Sequence, residues 1–196
     1  MTVPIISTGS AASDTASIKV QNYSYYIDSL GYLVVVGEVV NQGSNTIETV
    51  SLAGVVTTAS GSADSGANVF VFNLLPNQKA PFYMEFINAP NDGVWAVQEI
   101  SDVQISVAEA PATAKYNYPN LQISNDQASI GSNKGTSGAK PGDANYGDYG
   151  VYWINGKVVN TGSETAEGVT IVATFYNSTG TVVAVGLSNT YPSIAP

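Results

Sequence analysis

The chain of 196 residues contains no cysteine, no histidine and no arginine. Without cysteine and histidine, the usual ligands of zinc, copper and haem are missing. Ser-His-Asp and Cys-His catalysis are excluded on the same ground. The lack of cysteine also removes any disulfide from which an oxidising compartment could be read. Charge is scarce, at 11% of residues, against about 25% in an average globular protein. Six lysines supply all the positive charge and face fifteen Asp and Glu, for a net charge of −9. Nucleic acid is therefore excluded as a partner, because phosphates call for clustered cations, and an anionic membrane repels such a chain. No apolar run reaches the length of a membrane-spanning helix, so direct membrane insertion is not expected. Residues 1–13 lack the basic start and long apolar run of a signal peptide. The chain reads either as a mature form with an added Met or as a protein that is not secreted.

What is present is β-pattern throughout. Apolar residues do not recur at helical spacing, β-branched residues dominate, and turn-forming clusters punctuate short apolar runs. The pattern predicts strands over 18–27, 32–41, 48–58, 68–74, 82–87, 97–107, 118–124, 149–160, 168–176 and 181–190. Many short strands at regular spacing imply a sandwich or barrel. A segment also repeats. Gly37-Glu-Val-Val-Asn-Gln-Gly-Ser-Asn-Thr-Ile-Glu-Thr-Val50 and Gly156-Lys-Val-Val-Asn-Thr-Gly-Ser-Glu-Thr-Ala-Glu-Gly-Val169 lie 119 residues apart and share nine of fourteen positions. Val-Val ends a strand, Asn and Gly turn the chain, and the last Val reopens the next strand.

With Phe175-Tyr176-Asn177, Gly180-Thr181-Val182 and Leu75-Pro76-Asn77-Gln78-Lys79-Ala80-Pro81-Phe82, the repeat resembles the FxLYD-type immunoglobulin-like domain of bacterial and archaeal surface proteins. The first repeat departs from it, with Val56-Thr57-Thr58 at the middle motif. The resemblance covers roughly residues 17–196. It implies an all-β protein of two tandem immunoglobulin-like β-sandwiches, the second incomplete at its C-terminus. The expected division is an extended segment over 1–16, a first domain over 17–110, a linker over 111–115 and a second domain over 116–196. The second repeat reaches Pro196 where, in the first, Phe82 would follow. Two readings stand: a shorter variant or cut form of the fold, or an edge completed by another chain, as in donor-strand complementation. Val3, Ile5 and Ile6, ahead of a Ser/Gly/Ala-rich hinge, are the candidate inter-subunit strand.

Few residues suggest chemistry. Asp143, Asn145 and Asp148 offer oxygens to Ca²⁺, but their spacing departs from the EF-hand loop and lacks its late Glu, and no cofactor is expected. Glu48 and Glu167 occupy equivalent repeat positions, which speaks for a structural role over a glycosidase pair. An intramolecular Lys–Asn isopeptide bond suits a surface domain without cysteine, and Lys19 is the lysine to test for it. Asn22 and Asn177 head glycosylation sequons. Tyr23, Tyr25, Tyr149 and Tyr152 are expected at interfaces, since tyrosine joins apolar area to a polar tip. Trp153 is expected in the core. Together these features predict a non-enzymatic extracellular structural protein, a cell-surface filament or surface-layer subunit whose partners are copies of itself and, in some settings, glycans. The alternative is an adhesin or carbohydrate-binding stalk module, or an accessory domain of a longer surface protein.

Overall fold

The computed structural model describes residues 13–90, 93–114, 120–131, 151–188 and 190–196. These residues form an all-β protein, and no helix among them is long and apolar enough to cross a membrane. The strands are β1 (Ile18–Ile27), β2 (Leu33–Asn41), β3 (Thr46–Ile47), β4 (Ser51–Thr58), β5 (Gly61–Asn68), β6 (Lys79–Phe86) and β7 (Ile100–Glu109). They continue with β8 (Ala112–Thr113), β9 (Leu121–Gly131), β10 (Val151–Asn160), β11 (Ala166–Val169), β12 (Val172–Tyr176), β13 (Val182–Leu187) and β14 (Tyr191–Ile194).

Two three-stranded antiparallel sheets, β1-β2-β6 and β5-β4-β7, form a sandwich. Strand alternation fills the space between them. Along β4, Leu52, Gly54, Val56 and Thr58 are buried, while the residues between them are exposed or half-buried. Leu33, Val35 and Val39 of β2 and Phe82, Met84 and Phe86 of β6 meet this face. Trp95 packs edge-on against Phe86 and donates from its indole Nε1 to the Phe86 carbonyl at 2.7 Å. The tryptophan thereby buries its large ring without orphaning its N–H.

The expected strand over 68–74 does not form. Asn73 adopts a left-handed backbone, and only Leu74 bridges to Ile47. The strand lies earlier, at Gly61–Asn68, where small polar residues conceal it from a propensity reading. The expected strand over 97–107 begins instead with a 3₁₀ turn at Val97–Glu99. The run expected over 168–176 is split into β11 and β12.

The chain divides into two compact units, Met1–Asn117 with Thr170–Asn189, and Tyr118–Val169 with Thr190–Pro196. This division differs from the expected linker at 111–115, because the hairpin β12–β13 of the second repeat belongs to the first unit. The cause lies on β2, which is buried almost throughout. Its odd-numbered side chains enter the sandwich core. Val34 and Val36 project from the opposite face, where they bury fully against Val182, with Tyr26, Tyr83 and Val185 at the margin. Each such valine contributes about 1.5–3 kcal/mol by leaving water. In the other unit, β9 pairs with β10 and β11 pairs with β14, both antiparallel.

The repeated turn does the same work in both units. The Asn41 amide donates from Nδ2 to the carbonyls of Asn45 (2.8 Å) and Leu74 (3.0 Å), and its Oδ1 accepts from Gly43 N–H. Asn160 donates to the carbonyls of Glu164 (2.7 Å) and Ile194 (3.0 Å), and accepts from Gly162 N–H. The glycines are required by close approach. A Cβ on Gly43 would lie 2.8 Å from Ser17, and one on Gly162 2.8 Å from Asn120. A buried asparagine with its donors and acceptor all engaged is a strong device for fixing a turn.

Candidate functional site

The most developed polar cluster centres on Glu38, in the middle strand of the β1-β2-β6 sheet. Glu38 faces outward, on the side of Val34 and Val36, yet its side chain is only 1% exposed. Each neighbouring strand sends a donor to it. From β6, Lys79 Nζ reaches Oε1 at 2.8 Å. From β1, Gln21 Nε2 and Asn22 Nδ2 reach the same oxygen at 2.9 and 2.7 Å. From β12, the Tyr176 hydroxyl donates to Oε2 at 2.6 Å. The Lys79 ammonium also lies 6.0 Å from the Tyr176 ring centroid, within cation–π range.

Local backbone geometry makes this convergence possible. The register of β1 against β2 shifts between Gln21 and Ser24. Asn22 there takes a φ of 54°, a left-handed conformation that asparagine tolerates better than most residues. A bulge of this kind re-aims a side chain, and here it sets both Gln21 and Asn22 on the Glu38 carboxylate. Tyr23, the other residue of the irregularity, turns to the opposite sheet and donates its hydroxyl to the Val103 carbonyl at 3.1 Å. Gly37 makes room for it, since a Cβ there would lie 2.6 Å from both Tyr23 and Phe82.

Burial alone would raise the Glu38 pKa. The bonds from Lys79, Tyr176, Gln21 and Asn22 outweigh it and hold the carboxyl at about 2. The same contacts act in the opposite sense on Tyr176. Burial first, and then its bond to the Glu38 carboxylate, push its hydroxyl up to about 12. In the resting structure Glu38 is thus an anionic acceptor, and Tyr176 its donor. The pair ties the β12–β13 hairpin to the sheet beside the Val34–Val36–Val182 contact.

The residues singled out by the sequence are dispersed. Tyr23 and Tyr25 are exposed on β1 at 38% and 36%. Tyr152 lies on β10 opposite Ile130, and Trp153 opposite Ser129. Tyr149, Asp143, Asn145 and Asp148 lie outside the described residues, as do Val3, Ile5 and Ile6. Lys19 is exposed, on the edge strand β1, opposite Val40. Of the two sequon asparagines, Asn22 has its amide nitrogen on Glu38. Asn177 sits in the exposed β12–β13 turn, where its Oδ1 accepts from the N–H groups of Thr179 and Thr181 and from the Thr179 hydroxyl.

Sequence reasoning missed Glu38, Lys79 and Tyr176 as a group. Two signals pointed to them. Leu33-Val34-Val35-Val36 is an unbroken apolar run, which marks a strand buried on both faces. Within the shared Gly-x-Val-Val-Asn motif, the variable position is Glu38 in one repeat and Lys157 in the other, an inversion of charge in an otherwise constant frame. No protein-family model, no curated protein and no solved structure matches the chain.

Proposed function

We propose that the protein is a non-enzymatic structural protein of the cell surface, a filament or surface-layer subunit that joins to copies of itself by strand addition. One observation carries this reading: the unequal pairing of two equivalent strands. β2 has a hydrogen-bonded neighbour on each side, β1 and β6. β10 ends in the same Gly-x-Val-Val-Asn motif and, among the described residues, pairs with β9 alone. An unpaired strand edge offers a row of N–H and C=O groups to an incoming strand. Val3, Ile5 and Ile6 supply the apolar, β-branched residues such a strand needs, and residues 7–12 are rich in Ser, Gly and Ala, the composition of a flexible tether, which is shorter than the expected 7–16 because Ser13 bridges to Pro111 and Thr15–Ser17 forms a 3₁₀ turn. The immunoglobulin-like resemblance of the two turns agrees with a surface setting. There, Asn177 is the better placed sequon to carry a glycan, because it stands in an exposed turn.

Sedimentation velocity tests the reading on the full chain. Wild type is expected to form large species that grow with concentration. The double variant Ile5→Asp/Ile6→Asp is expected to stay monomeric while keeping its β circular dichroism. A wild type that remains monomeric at high concentration, or a variant that assembles equally well, contradicts it.

A further inference from the structure

The contacts of Glu38 have a chemical meaning beyond packing. An amine, a carboxamide and a carboxylate from three different strands meet at one oxygen. Lys79 Nζ and Asn22 Nδ2 lie 2.8 and 2.7 Å from Glu38 Oε1, which leaves the two nitrogens no more than about 5.5 Å apart. Glu38 is on the central strand, and Asn22 and Lys79 are on the strands either side of it. The bulge and the left-handed Asn22 backbone deliver the amide to this spot. The hairpin residue Tyr176 covers the carboxylate from above and helps to keep it dry.

We propose that Lys79 and Asn22 form an intramolecular isopeptide bond, with Glu38 as the proton carrier. The resting state is the Lys79–Glu38 ion pair. Transfer of one proton from Nζ to Oε1 yields a neutral amine and a neutral acid. A half-turn of the Asn22 amide exchanges two atoms of nearly equal size and sets Oδ1 against the acid. The acid hydrogen-bonds to Oδ1 and polarises the carbonyl, and Nζ attacks Cγ. The new Nζ–Cγ bond forms, the Cγ–Nδ2 bond breaks, and Nδ2 leaves as ammonium, carrying two protons passed from Nζ through Glu38, which ends as the carboxylate. No oxidant, reductant or cofactor is consumed. Proximity on one buried carboxylate supplies the driving geometry, while the Lys79 side chain itself is half exposed. The bond joins the two outer strands of the sheet across β2, so that neither can peel away alone. It also consumes the nitrogen that a glycan on Asn22 would use, so the two modifications exclude each other there. Lys19, the lysine suggested by the sequence, is exposed on β1 opposite Val40. The inference holds whether or not the chain assembles, because it concerns one chain alone.

The test is the intact mass of the purified full chain after warm incubation at neutral pH, followed by tryptic mapping. The expected mass is below that of the sequence by about 17 Da, one ammonia. Cleavage after Lys79 should be blocked, giving a light peptide that runs from Val20 to Lys115. Lys79→Arg keeps a cation on Glu38, and Glu38→Gln keeps its shape, so both are expected to fold and to show the full mass. A wild type of full mass overturns the proposal, whatever the variants do. So does a loss of about 18 Da, which marks a Lys–Glu amide instead, and so does a 17 Da loss that survives Lys79→Arg.

Discussion

The two copies of the Gly-x-Val-Val-Asn turn make an internal comparison. Asn41 and Asn160 each pin a loop by two donated bonds and one accepted bond, at nearly the same distances. Three residues earlier the copies diverge. Glu38 is buried under a hairpin with four donors around it, whereas Lys157 is exposed. The turn is therefore specified by the constant residues, and the fate of the outer sheet face by the variable one. A carboxylate with neighbouring donors can be covered, because burial of a charge is tolerable only when it is paired and hydrogen-bonded.

Exchanging the variable residues breaks this comparison most severely. Glu38→Lys places a second cation beside Lys79 beneath the hairpin. It is expected to cost about 3–5 kcal/mol and to free β12–β13, read by denaturant unfolding and by amide exchange over Val172–Leu187. Removing the shared device comes next. Asn41→Ala leaves the buried Leu74 carbonyl short of a donor and is expected to cost about 3 kcal/mol, with Asn160→Ala at about 2 kcal/mol because its site is less enclosed. Equal losses on chemical denaturation would mean that the two turns are equally buried in solution.

Acid sharpens the contrast further. The Glu38 pKa is lowered in the folded chain, from 4.5 to about 2. Its stabilisation is therefore fully present above pH 4.5 and is lost as pH falls from there through about 2. Before any cross-link forms, this amounts to about 3 kcal/mol. Glu38→Gln should flatten that limb of the stability curve, as followed by thermal melts between pH 2 and 6. With no histidine in the chain, little change is expected between pH 5 and 8. The smallest effect belongs to Lys157→Glu, within about 0.5 kcal/mol in the same unfolding assay, since an exposed side chain away from special features has little to lose.

Legibility in the sequence followed the same divide. Strands whose apolar residues alternate or run together, such as β1 and β2, could be read to within a residue. The repeat led directly to Asn41 and Asn160, because a turn is a local device whose parts sit within a few positions. β5 escaped, since Gly61-Ser-Ala-Asp-Ser-Gly-Ala-Asn68 owes its extended form to pairing with β4 and not to its own preferences. The Glu38 cluster escaped for a related reason. Its members stand 16 to 138 positions apart, and nothing in the spacing of Asn22, Lys79 and Tyr176 announces that one carboxylate will gather them.

The account turns on whether β10 receives a strand from another copy. Hydrogen–deuterium exchange across Val151–Asn160, in assembled wild type and in the monomeric Ile5→Asp/Ile6→Asp variant, tests this directly. Strand addition predicts that the β10 amides not bonded to β9 exchange slowly in the assembly and rapidly in the variant. Equal exchange in the two would contradict it.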